Sequence, residues 1–270
     1  MLLAAYLMLA GASIIYILHL FIGDERLSLG GKALSVLAFI SLTAGLVRRG
    51  LEAGHWPLTS TYEFCLVFVW SAVGVYLLME STERTKGAET GGAFVLPIAF
   101  LLQSYARYGF PAGLKDSQPL LPALRTLWLH LHVLTAAVSY GAFAVACGAG
   151  IMCLFGEWGM GANPSLKALG ESLSFRAASF GYIWLTLGII TGAMWAQVAW
   201  GRYWGWDVKE TWALVTWLIY TLFLHARVLG GWRGRPLALL SIVGFASVLF
   251  TFLGLSWLAR SVGLESLHVY

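Results

Sequence analysis

The apolar residues of this chain fall in long runs, and that arrangement limits its fold more than any other feature. Eight runs stand out, at about 2–22, 32–47, 62–79, 91–106, 127–154, 179–199, 208–227 and 236–258, separated by short connections of Gly, Pro and charged residues. In hydrocarbon the backbone must satisfy its own hydrogen bonds, so such runs form helices of roughly 20 residues. The chain has 59% hydrophobic and 11% charged residues, against about 25% charged in a typical soluble domain. The fold class that follows is all-α: a polytopic transmembrane helical bundle of about eight spans, with 1–270 forming a single integral membrane domain. The second and fourth runs are short, the fifth is long enough to project beyond the hydrocarbon, and 156–178 reads as an amphipathic stretch along the membrane surface. Met1–Ile22 lacks a basic leading segment and a cleavage site, so it reads as a retained span.

The remaining composition excludes several function classes. A net charge of +4 needs no nucleic-acid partner, because juxtamembrane Lys and Arg commonly sit near anionic headgroups. Cys65, Cys147 and Cys153 form no CxxC and fall in or beside apolar runs, as packing residues do. Eight spans put both termini on one side, but Lys and Arg are distributed too evenly between the connections to orient the bundle. In the connection 48–61, Thr59, Ser60 or Thr61 is positioned to cap the third helix, with Glu63 in its first turn.

Chemistry concentrates in 195–217, WAQVAWGRYWGWDVKETWALVTW, which holds six of the 13 tryptophans. Indole at a membrane interface accounts for Trp195, Trp200 and Trp217 singly. It accounts less well for GRYWGWD, where Trp204 and Trp206 bracket a glycine and Asp207 stands ready to cap the next helix, with Glu210 as its reciprocal partner. Trp200, Trp204, Trp206 and Asp207 therefore read as a platform for a large flat apolar ligand, and a porphyrin fits that description. Haem iron is commonly held by histidine. Of His19, His55, His130, His132, His225 and His268, His132 and His268 fall on the side of the tryptophan loop in an eight-span topology. His130 competes with His132, since two residues apart on a helix they face different ways. His225 lies 18 positions beyond Asp207, roughly 27 Å along a helix, and cannot share their site. An ionisable residue near the inner end of a span points to a role of its own, with His19 as a possible local partner.

The tryptophan segment, together with TYEFCLVFVW at 61–70, LHVLTAAVSYGAF at 131–143 and FRAASFGYIWLTLGIITGAMWA at 175–196, resembles the CcsA/ResC family of cytochrome c biogenesis proteins. These belong to the WWD-type haem-handling superfamily and are the membrane subunit of the system II cytochrome c synthase. The resemblance runs from residue 61 to the C-terminus, and the tryptophan segment is its most specific part. It implies an extracytoplasmic haem b held by His132 and His268. It further implies a membrane-embedded haem site at His225 whose second ligand comes from a CcsB/ResB-like partner. The tryptophan loop and both termini are then extracytoplasmic, in an inner, plasma or thylakoid membrane. Two departures stand out: Val208 replaces the proline of the usual WDPKETW, and GLESLHVY replaces the commoner GLHSY near the C-terminus.

The expected function is that of a cytochrome c haem lyase (synthase) component. It would hold or move haem and present its vinyl edge to the CxxCH thiols of a reduced apocytochrome c, with thiol-reducing pathway proteins acting indirectly. No side chain of this chain reads as a nucleophile or proton-transfer catalyst, and no metal besides haem iron is expected. Two alternatives share these features: a haem exporter that delivers haem to a carrier protein, and a quinone-binding or structural subunit of a respiratory complex.

Overall fold

The computed structural model describes residues 1–83, 87–116, 124–158 and 163–254. The described residues form eight long helices and no strand: α1 (Leu2–Ile22), α2 (Glu25–Ala53), α3 (Thr61–Thr82), α4 (Gly92–Tyr108), α5 (Leu127–Trp158), α6 (Pro164–Trp200), α7 (Val208–Val228) and α8 (Arg235–Leu249). A π-helical turn, Phe250–Gly254, prolongs α8, and single helical turns occupy Ala88–Gly91 and Ala112–Lys115. Seven of these segments are long and apolar enough to cross a membrane, so the protein is a multi-pass membrane protein. The eighth, α4, has 17 residues with Pro97 inside it.

Two expectations about the spans need correction. The second run extends well beyond 32–47 into a helix of 29 residues, because Asp24 caps it by accepting from the Arg26 amide and no proline interrupts it. The stretch 156–178 does not form a separate surface helix. From Pro164 onward it belongs to α6, one helix of 37 residues, about 55 Å long at 1.5 Å per residue. Asn163 caps it at the Leu166 amide and Pro164 takes the first turn, where a missing N–H costs nothing. The apolar face of the stretch, including Leu166, Leu169 and Ala177, is buried. The partner in that region is the far part of α5, itself 32 residues long.

Successive helices alternate in direction. The Gln103 amide donates to the Leu2 carbonyl, and Arg49 donates to the Lys115 carbonyl. The start of α1 and the ends of α2 and α4 therefore share one end of the bundle with the starts of α3, α5 and α7. This is called the near end below. At the far end, His19 approaches Glu89 and Arg176 bridges to Glu83.

Helix α5 is the axis of the packing: every residue from Ser139 to Gly150 is buried. Small side chains make this possible, as they commonly do between membrane helices. A Cβ on Gly141 would lie 2.6 Å from the Ala72 amide nitrogen, so α3 and α5 meet this closely only with glycine there. On another face Phe143 stacks on Tyr220 of α7, with centroids 3.5 Å apart and planes 6° from parallel. Toward the near end, Phe64, Phe68, Tyr140 and Phe252 form a mutually packed aromatic group. Phe64, Tyr140 and Phe252 also line a cleft above it.

Candidate functional site

The cleft opens at the near end between α3, α5, α6 and the start of α7, with a cavity of about 220 Å³. Its wall begins in the 58–61 segment, which is anchored from beneath. Ser60 and Glu63 form a capping box on α3, where capping by a side-chain oxygen satisfies amides the helix cannot. Glu63, only 1% exposed, also accepts from the Thr59 amide and hydroxyl and from Arg49 Nε at 2.7 Å.

His132 is the iron-binding candidate that the structure brings into this cleft. Its Nδ1 lies 2.8 Å from the Gly188 carbonyl. A carbonyl only accepts, so Nδ1 is the nitrogen that donates here. Histidines that ligate metals are commonly oriented this way, through the nitrogen they do not use. Trp195, almost fully buried, stacks beside the imidazole with planes 12° apart and centroids at 6.1 Å. The ring fits against α6 because position 192 is glycine: a Cβ there would sit 2.7 Å from Nδ1 and 2.8 Å from Cε1.

The tryptophan segment divides its labour. Helix α6 ends at Gly201, and α7 begins behind Asp207, which forms a capping box with Glu210. Val208 therefore leaves the cap intact despite replacing a proline. Of the four expected platform residues, Trp204 lines the cleft, with its indole N–H buried and without a hydrogen-bond partner. Trp200 packs on Trp195 at 4.8 Å. Trp206 is exposed and adopts a left-handed backbone with φ 56°, a conformation that costs a bulky residue of order 1–3 kcal/mol. Asp207 acts on the backbone rather than the cavity. Trp217 lies deeper, donating to the Thr186 hydroxyl at 3.0 Å and stacking on Tyr182.

The other histidines lie elsewhere. His130 is half-buried, outside the cleft, and near His55. His225 is exposed near the far end of α7, and its Nδ1 lies 2.8 Å from the Thr221 carbonyl, to which it donates. His19 pairs instead with the Asp24 carbonyl and approaches Glu89. His268 is outside the described residues; Thr251 and Phe252, toward the end of the described chain, line the cleft.

Reading the sequence alone missed Gly192, Tyr203 and Lys209 as lining or shaping residues, and placed Glu210 in the cap but not in the wall. The signal for Gly192 was present: Gly188-Ile-Ile-Thr-Gly192 is a small-xxx-small pattern, which lets another element approach a membrane helix closely. A cavity with aromatic walls, an imidazole and a buried indole N–H without an acceptor suits a planar, metal-bearing, partly polar ligand. Haem fits that donor set.

Comparison with known proteins identifies the family of the chain. Residues 58–262 match the family model described as cytochrome C assembly protein. The cytochrome c biogenesis protein CcsA of Gloeobacter violaceus is 32% identical, over 89% of this chain and 86% of that protein. CcsA of Parasynechococcus marenigrum is 33% identical, over 87% of this chain and 85% of that protein. Among solved structures, the cytochrome c heme lyase CcmF superposes with a TM-score of 0.69 at 18% identity. That match covers 97% of this chain and 49% of the CcmF chain, so this chain spans about half its length.

Proposed function

The chain belongs to the cytochrome c assembly protein family, as a CcsA-type member, and on that premise we propose that it is the haem-presenting membrane subunit of a cytochrome c haem lyase. The observation that carries the reading is His132. Its Nδ1 donates to the Gly188 carbonyl, and the ring lines an aromatic cleft. In this reading His132 and His268 ligate the iron of haem b. Thr251 and Phe252 line the same cleft, which supports drawing the second ligand from the chain that follows them.

Haem, the substrate, supplies two vinyl groups; each thiol of an apocytochrome CxxCH adds S–H across one C=C, giving a thioether with no leaving group. The work of this chain is orientation. Trp195 and Gly192 fix the plane of the His132 ring, and the wall of Phe64, Tyr140 and Phe252 keeps water from the porphyrin face. The capped turn before α7 holds Trp204 at the cavity edge. Such positioning raises effective concentration without any acid or base from the protein.

His225 is the residue proposed to meet the partner. Leu218, Leu222, His225 and Leu229 recur at intervals of four, three and four along α7 and are all exposed, which makes one stripe. Apolar residues there suit lipid, but an imidazole does not. A CcsB/ResB-like subunit covering the stripe and adding a second ligand would satisfy it. The tryptophan turn and both termini are then on the extracytoplasmic side, where apocytochrome folds.

Co-expression with a CcsB-like partner and a reporter apocytochrome c tests the activity. Haem that stays attached to the reporter after denaturation is expected for the wild type and lost in His132→Ala. Free haem in the complex without any attached product would favour haem delivery to a carrier instead.

A further inference from the structure

We propose that the outer face of the tryptophan turn, carried by Arg202, Tyr203 and Trp206, is the docking surface for the CxxCH-bearing segment of the apocytochrome; this rests on the haem lyase reading above. The turn stands at the mouth of the cleft. Tyr203 lines the cavity yet is 56% exposed, and Arg202 and Trp206 are exposed before and after it in the chain. Trp206 is the odd member of the group. Its side chain is 70% exposed while its backbone sits at φ 56°, a conformation that glycine adopts freely and a bulky residue does not. Such a residue persists only where its surroundings hold it there. Here the amides on both sides of it do so: Gly205 and Asp207 donate to Glu210 Oε2 at 2.7 and 3.2 Å. Its indole meets Trp204, a residue of the cavity wall, edge-on at 5.7 Å between centroids. The Arg202 guanidinium lies against Gly205, where a Cβ would fall 2.8 Å from its Nε, so the charge is carried on the same turn.

Exposed Trp, Tyr and Arg are the residue types that most often dominate the energy of protein interfaces. A surface set in place before binding also spares an unfolded peptide part of its ordering cost. The position of the turn selects the occupant. A peptide whose thiols reach a porphyrin in this cleft must pass over its mouth, which Tyr203 edges. Trp206 then faces the peptide rather than the porphyrin, while Trp204 behind it faces the cavity. An indole that serves only as a headgroup anchor would stand equally exposed, but a soluble peptide would not sense its removal.

The test measures thioether formation by the haem-loaded complex of this chain and its CcsB-like partner in detergent, as a function of the concentration of a reduced synthetic CxxCH peptide from an apocytochrome c. Trp206→Gly removes the indole and suits the φ of that position, so the turn keeps its course. It should retain the partner, the haem and the His132-dependent spectrum, with KM for the peptide raised about tenfold and kcat near that of the wild type, the signature of lost binding. Arg202→Gln, which alters no backbone preference of the turn, should raise KM as well. An unchanged KM in both variants would overturn the docking assignment while leaving the haem site intact. Loss of haem or of the partner from Trp206→Gly would overturn it too, by placing the indole against the porphyrin or in the subunit contact. A wild type without a His132-dependent haem spectrum, or without thioether product at any peptide concentration, would overturn the haem lyase reading and this surface with it.

Discussion

At the scale of single residues, the site depends on how closely His132 lies against α6. Gly192→Ala is the sharpest probe of that contact. Alanine favours a helix over glycine by about 1 kcal/mol, so α6 itself should gain. The new methyl group, however, would meet the imidazole at 2.7 Å and turn it from its place. The expected result is a protein that is no less stable to heating in detergent but holds several-fold less haem. Equal haem content in the two proteins would show that ring position is not critical. The residue scale is also where the sequence was least legible. The resemblance named His132, but spacing alone could not rank it above His130, because the choice depends on helical phase against a neighbour 56 positions away. Lys209 was hidden for a related reason: only the capped turn brings the start of α7 to the cavity.

At the scale of elements, caps were readable and lengths were not. Ser60 with Glu63 and Asp207 with Glu210 both follow from a short polar residue three positions ahead of a glutamate. The extents of α2 and α6 were misjudged because Lys32, Lys167 and Arg176 dilute the apolar signal without breaking the helix. Long side chains at membrane edges reach toward the headgroups, and helix formation tolerates them. The junction of α2 with α3 yields a prediction of its own. Arg49 is the cation for a carboxylate that is 1% exposed, and removing one partner of a buried pair costs about 3–5 kcal/mol. Arg49→Met should therefore lower the thermal midpoint in detergent markedly and loosen the Leu58–Thr61 wall, so haem content falls as well. An unaltered midpoint would mean that Glu63 is sustained by its Thr59 and Ser60 contacts alone.

At the scale of the whole molecule, the alternation of eight helices brings distant sequence to one end. Leu58, His132, Gly192, Trp204 and Phe252 come from five separate segments yet line one cavity. Hydrophobic runs made that architecture legible, since their number decides which connections share a side. What they could not supply was the depth of α4, a helix of 17 residues with Pro97 inside it. The same alternation separates His225 from the cleft and leaves it on an outer surface. His225→Ala should then leave the His132-dependent spectrum of the cleft intact while lowering total haem in the complex with a CcsB-like partner. Loss of the cleft spectrum in that variant would show that the two histidines serve one site.

The central claim, that His132 and His268 hold iron at the near end, is tested most directly by oxidised and reduced optical spectra. The samples are the complex with a CcsB-like partner and its His132→Ala and His268→Ala variants, with haem quantified in each. The account predicts low-spin bis-histidine bands that fade in either variant and return when imidazole is added to occupy the vacated coordination position. Spectra and haem content that are indifferent to both substitutions would contradict it.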